Sequence, residues 1–152
     1  MLRKTALYSI LGVVVLLVGM QFVQPDRTNP PANASASFAV VAKAAPEVAV
    51  ILQRACADCH SHETTWPWYS RVSPVSWLVA NDVKEGRARL NLSEWNLLGP
   101  EASMLKLKAA CKEVKAGEMP LWQYKLMHPE ARLSPADIEK LCSASESLTS
   151  LR

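Results

Sequence analysis

The sequence predicts an all-α fold with one N-terminal transmembrane helix, on three observations. Apolar residues recur at helical spacing after Pro46, Ser73-Pro74, Gly99-Pro100 and Ser134-Pro135. No run of period-two alternation is long enough to build a sheet. Residues 6–23, ALYSILGVVVLLVGMQFV, carry no charge.

Eighteen helical residues span roughly 27 Å at ~1.5 Å each, close to the ~30 Å hydrocarbon core of a bilayer. Arg3 and Lys4 precede the stretch, which makes residues 1–5 a cytoplasmic N-terminus under the positive-inside rule. A buried core helix would keep a polar face, and this stretch has none. A cleaved signal sequence competes with the anchor. Its first small-x-small site, Ala32-Asn33-Ala34, lies nine residues beyond Val23, so an uncleaved anchor is favoured. Either reading exports the rest of the chain. Residues 24–45 read as a linker. Asn29-Pro30-Pro31 breaks structure, the following run is small and low in complexity, and weak helix is expected only from Phe38 to Pro46.

The folded domain is expected over residues 46–149. Pro46 opens a helix whose stripe is Val48, Ile51, Leu52 and Ala55. Ser73-Pro74 reads as a cap before Val75, Leu78, Val79 and Val83. Ser93 reads as the cap of a short turn holding Trp95. Gly99-Pro100 restarts the chain, Met104, Leu107, Cys111 and Val114 line a longer helix, and Gly117 ends it. Ser134 and Asp137 form a capping-box pair for the last helix, with a stripe of Ile138, Leu141, Cys142 and Leu148 that Ser145 weakens. Short helices in about a hundred residues bury limited apolar area, so an added staple such as a cofactor or disulfide is expected.

The chain has 152 residues, 49% hydrophobic and 20% charged, with a net charge of +3. That excess lies wholly in residues 1–45, where Arg3, Lys4, Arg27 and Lys43 oppose Asp26 alone. Residues 46–152 hold 13 basic and 13 acidic side chains. A neutral folded part argues against nucleic-acid binding.

Cys56-Ala57-Asp58-Cys59-His60 has the spacing C-x-x-C-H, the attachment pattern of c-type haem. Two thiols three positions apart can form thioethers to the two vinyl groups on one porphyrin edge, and the next residue, His60, can reach the iron. The expected cofactor is one covalent haem c in a small, cytochrome c-like helical domain. Attachment of this kind occurs outside the cytoplasm, in agreement with the exported topology. A redox dithiol would call for a βαβ context, which is missing. A zinc site would combine Cys56, Cys59, His60 or His62 with Cys111 or Cys142, but the last two are 31 positions apart, without ligand spacing.

Met119, in Gly117-Glu118-Met119-Pro120, lies outside any helical stripe and is the favoured sixth ligand. Methionine opposite histidine suits an electron-transfer iron. His128 is the rival, with Met127 and His62 weaker, and an open sixth position stays in play. Cys111 and Cys142 are an even pair left over in an oxidising compartment, so a disulfide is expected between them, worth roughly 3–4 kcal/mol. Trp66, Trp68, Tyr69 and Trp77 are expected to pack around the porphyrin. Arg71, Arg87 and Arg89 are candidates for its propionates.

Longer stretches extend the pattern: ILQRACADCHS from Ile51, ETTWPWYS from Glu63, PVSWLV from Pro74, DVKEGR from Asp82, LNLSEW from Leu90, GEMP from Gly117 and HPEARLS from His128. Together they resemble the haem-binding domain of bacterial exported proteins, a monohaem c-type group. The resemblance covers about two thirds of the chain. It implies covalent haem at Cys56 and Cys59, His60 on the iron and Met119 as second ligand. It supplies no substrate. That family usually has Asn where this chain has His62, whose imidazole is expected to be solvated.

The reading is an exported electron carrier at the periplasmic face of the bacterial inner membrane, or free in the periplasm if residues 6–23 are cleaved. Its expected partners are redox proteins and, through the helix, the membrane. No small-molecule substrate and no catalytic residue stand out. A haem-based sensor is the alternative, and a peroxidase-type enzyme the more distant one. Two propionates on a neutral domain would leave it near about −2, which favours a basic docking partner.

Overall fold

The first helix, α1 (Leu2–Met20), stands apart from the rest of the chain because it has no polar face to turn toward water and none of its span is buried. The structure, a computed structural model, describes the backbone of residues 2–150 and the side chains of residues 3–144. Every element among the described residues is helical. Arg3–Met20 is long and apolar enough to cross a membrane. The helix begins before the expected residue 6 and stops before residue 23, because Gln21, Phe22 and Val23 tighten into a turn that bonds back to Val18, Gly19 and Met20.

The other helices are α2 (Phe38–Val41), α3 (Pro46–Ala55), α4 (Ala57–His60), α5 (Val75–Arg89), α6 (Pro100–Lys115), α7 (Trp122–Met127) and α8 (Pro135–Ser150). Short 3-10 turns join them at Ala34–Ala36, Trp68–Arg71, Trp95–Leu97 and Pro129–Ala131. Helix α6 packs on α8, α4 on α5, and α3 on both α4 and α8. Pro46 and Pro100 sit in the first turns of α3 and α6, where a missing N–H costs nothing. Gly117, at φ +76°, closes α6 in the left-handed region that glycine occupies without strain. Ser134 and Asp137 make the reciprocal cap: the Asp137 carboxylate accepts from the Ser134 N–H at 2.8 Å, and the Ser134 hydroxyl accepts from the Asp137 N–H at 3.1 Å. Ser145, Leu148 and the domain end at 149 lie outside the described side chains.

Two expected caps are used differently. Ser73 does not cap α5; its hydroxyl meets Ser76 Oγ at 3.0 Å and accepts from Gln24 Nε2 at 2.8 Å. The Ser93 hydroxyl accepts from the His62 N–H at 2.9 Å rather than from its own turn. In both cases a distant segment outcompetes the local one.

The core is Phe38, Val48, Leu92 and Trp95, with Leu52, Leu107 and Leu141 packed around it. Phe38 meets Trp95 edge to face at 4.7 Å between centroids. Phe38 belongs to the linker, where weak helix is expected and α2 forms, yet it is 3% exposed, and its N–H donates to Leu92 O at 2.8 Å. Leu92 in turn donates to His60 O at 2.7 Å, which ties the core to the C-x-x-C-H turn. The disulfide Cys111–Cys142 is formed, with its Cα atoms 5.1 Å apart, and joins α6 to α8.

Candidate haem site

Cys56 ends α3, and the next turn of helix, α4, carries Cys59 and His60. The backbone O of Cys56 accepts from both Cys59 N, at 3.2 Å, and His60 N, at 2.9 Å. That single turn brings Cys56, Cys59 and His60 onto one wall of a cavity of about 670 Å³. Both thiols are free. Burial pushes the Cys56 thiol up to about 11, against the opposing pull of Arg54. Burial pushes Cys59 up to about 12, helped by the carboxylates of Asp82 and Asp58. Both are therefore protonated at neutral pH.

Nδ1 of His60 lies 2.9 Å from Gly86 O and 3.0 Å from Leu90 O. Two carbonyls can only accept, so Nδ1 carries the proton and Nε2 keeps its lone pair. Burial lowers the His60 pKa, which keeps the ring neutral. Helix α5 crosses α4 at Gly86, where a Cβ would come within 2.4 Å of Cys59 O. Only glycine lets the two backbones approach so closely.

Helix α7 and the segment before it also line the cavity, through Met119, Pro120, Leu121, Gln123, Tyr124 and Met127. Glu118 and Met119 both donate backbone N–H groups to Glu113 O, at 3.0 and 3.3 Å. The left-handed turn at Gly117 thus folds the chain back over the end of α6. Met119 lines the 670 Å³ cavity and also a second cavity of about 520 Å³. Cys56, His60 and Arg89 are shared by both as well, so the two are adjoining lobes about these residues. Val75, Leu78, Val79, Leu121 and Met127 make its lining largely apolar.

The aromatic residues divide. Trp68 and Tyr69 line the cleft, although Trp68 is 71% exposed. Trp66 and Trp77 line neither lobe and sit in a separate groove between α5 and residues 25–28. Their indole N–H groups donate to Asn29 Oδ1 at 3.2 Å and to Val23 O at 2.8 Å. Of the four aromatics expected to pack around a porphyrin, Trp68 and Tyr69 thus line the cleft, while Trp66 and Trp77 line a different groove. His128 lines neither lobe. Its Nε2 pairs with the Tyr69 hydroxyl at 2.8 Å, its Nδ1 with Glu130 at 3.0 Å, and its ring stacks on Tyr124 at 4.2 Å. His62 is not solvated: its side chain is 9% exposed, with Nδ1 3.2 Å from Pro31 O and Nε2 2.8 Å from Asn91 Nδ2. Among the arginines, Arg89 lines the cleft. Arg87 is spent on Ser61 O, Asn29 and Thr64.

Residues not singled out from sequence complete the site. Tyr124 donates to Asp58 Oδ2 at 2.7 Å, and burial followed by that carboxylate raises its pKa. Asp82 is raised by burial and partly offset by a bond from Gln123. Gln123 Oε1 is a buried acceptor without a partner among the described residues, and Gln123 lines the cleft. The glycine at 86 left the one usable sign, since an isolated glycine inside a helix costs ~1 kcal/mol against alanine and calls for a packing reason. Tyr124 and Gln123 left none, because six residues of helix do not show which face turns inward.

The residues fit a flat apolar macrocycle held by two thiols: a free thiol pair, an imidazole with its outer nitrogen unengaged, a thioether and an apolar lining. They do not fit zinc. Cys111 and Cys142 are bonded to each other, and among the described residues no three His, Cys, Asp or Glu side chains are grouped to hold a metal ion. The dithiol alternative lacks its βαβ setting among the described residues.

Fold and site together define an all-helical domain built around a cofactor cleft. The chain matches the haem-binding domain family over residues 15–146 and belongs to that family. Membership supports haem as the cofactor of this cleft. The match starts within α1 and takes in residues 24–45, in keeping with the packing of Phe38. No curated protein and no solved structure matches the chain.

Proposed function

We propose that the protein is a membrane-anchored, exported monohaem c-type domain that passes single electrons between redox proteins at the periplasmic face of the inner membrane. The observation that carries this reading is the convergence of Cys56, Cys59, His60 and Met119 on one apolar cleft. Cys56 and Cys59 would hold the ring through their two thiols. Gly86 and Leu90 hold the His60 proton on Nδ1, which leaves the Nε2 lone pair free, so His60 would be the residue to hold the iron. Met119 is carried on a segment free of helical constraint and supplies sulfur. Val79 and Leu121 would supply apolar contacts to the ring. Haem iron in such surroundings supplies a one-electron couple.

The test is haem staining on a denaturing gel after expression in a host that attaches c-type haem. Staining is expected in the parent and absent in Cys56→Ala/Cys59→Ala. An unstained, correctly exported parent would sink the reading. Low-spin spectra in both oxidation states, lost in Met119→Ala, are expected of an electron carrier. Ligand loss in only one state would shift the reading to sensing, and reactivity with peroxide to an enzyme.

A further inference from the structure

The first turn after α1 is bonded directly to the haem domain. The Gln21 amide donates to Ser73 O at 3.1 Å and accepts from the Ser73 N–H at 3.2 Å. Gln24 Nε2 donates to Ser73 Oγ at 2.8 Å, and Val23 O accepts from the Trp77 indole at 2.8 Å. Ser73 and Ser76 are buried at this junction. The helix that is long enough to span a bilayer ends at Met20, one residue before Gln21. No slack chain separates the two parts, so the depth of α1 sets the height of the N-terminal end of α5.

That end carries an apolar face. Phe22 is 86% exposed, Val72 43% and Trp77 37%. Arg71, next to Val72, is exposed and supplies a cation. Aromatic residues with an apolar body and a polar edge, flanked by a cation, are the composition found where protein meets lipid headgroups.

We infer that the N-terminal end of α5, with Phe22, Val72 and Trp77, docks onto the bilayer surface and holds the haem domain in one orientation against it. This rests on the reading of α1 as a retained membrane anchor. The occupant of the face is the phospholipid headgroup and upper acyl region, argued from continuity with α1. Val75, Leu78 and Val79 continue from this end along α5 to form a wall of the cleft. The wall therefore rises from the membrane, and soluble partners reach the cleft from its other sides.

The test uses the full-length holoprotein in nanodiscs containing a phosphatidylcholine with a photoreactive group near the glycerol, with adducts mapped by peptide mass spectrometry. Adducts are expected on residues 2–23 and on residues 72–78, several-fold above those on the segment with exposed Leu97. Gln21→Ala/Gln24→Ala is expected to lower the 72–78 adducts while leaving those on α1. Adducts on α1 with a clean 72–78 segment would overturn the docking, as would equal labelling around Leu97. An absence of adducts on residues 2–23 would instead overturn the anchor reading beneath it.

Discussion

Helix α5 has two flanks with opposite fates. On one, Val75, Leu78, Val79, Asp82 and Gly86 face the cleft. On the other, Trp77, Asn81, Lys84 and Arg87 face the segment that follows α1. There the chain closes on itself through hydrogen bonds: Arg87 to Ser61 O, Thr64 and Asn29, and Trp77 to Val23 O. Toward the cleft, apolar side chains line about 670 Å³. The difference teaches that one helix serves two ends: its bonded flank fixes it to the segment after α1, and its apolar flank lines the cleft.

The largest effect expected comes from the brace that touches neither flank. Cys111→Ala/Cys142→Ala opens a loop of 31 positions and is expected to lower stability by about 3–4 kcal/mol in denaturant unfolding. A haem spectrum unchanged in the folded fraction would sharpen the comparison; a changed one would mean that the disulfide shapes the cleft itself.

Next comes the cleft flank. Gly86→Ala drives a Cβ to 2.4 Å from Cys59 O. Overpacking against backbone is expected to cost about 1–3 kcal/mol and to perturb the His60 contact to Gly86 O, read as a shifted Soret band. An alanine variant with parent stability and spectrum would refute the close-approach role.

On the bonded flank, Asn29→Ala removes one donor to Thr64 O and the shared acceptor of Trp66 and Arg87. A loss near about 1 kcal/mol is expected, with the reduction potential unmoved. A shift in potential would break the separation of the flanks.

The smallest effect is a pH dependence. Asp137 accepts from the Ser134 N–H and hydroxyl and pairs with Arg54 at 2.8 Å, which holds its carboxyl down at about 2. Its pKa is depressed on folding, so its contribution is complete above the unfolded value of ~3.9 and is lost as pH falls toward 2. Asp137→Asn is expected to flatten the decline of melting temperature between pH 4 and 2. An unchanged acid limb would remove Asp137 from the brace that Arg54 extends to Glu130 O and Arg132 O.

Much of the fold and the heart of the site were legible in the chain. The proline openings at Pro46 and Pro100, the stop at Gly117 and the Ser134–Asp137 cap read correctly because each is a local bargain between a side chain and its own backbone. Cys56, Cys59 and His60 were legible because one helical turn suffices to bring them together. Met119, expected outside every helical stripe, lies between α6 and α7 and lines the cleft. Ser73 and Ser93 misled, since their hydroxyls were claimed by Gln24 and by the His62 N–H from far along the chain. His62 misled for the same reason, with Pro31 and Asn91 enclosing a ring expected in water.

By itself, then, the sequence determined the helical class, the apolar α1, the turn that gathers Cys56, Cys59 and His60, and the pairing of the two remaining cysteines, all set by spacing or composition. The tertiary structure alone decided that Phe38 belongs to the core, that Trp66 and Trp77 turn away from the cleft while Tyr124 turns into it, and that His128 is held by Tyr69 and Glu130. Those outcomes depend on which side of a helix another segment covers. Side-chain spacing reveals that a helix has faces; only the packed chain assigns a neighbour to each.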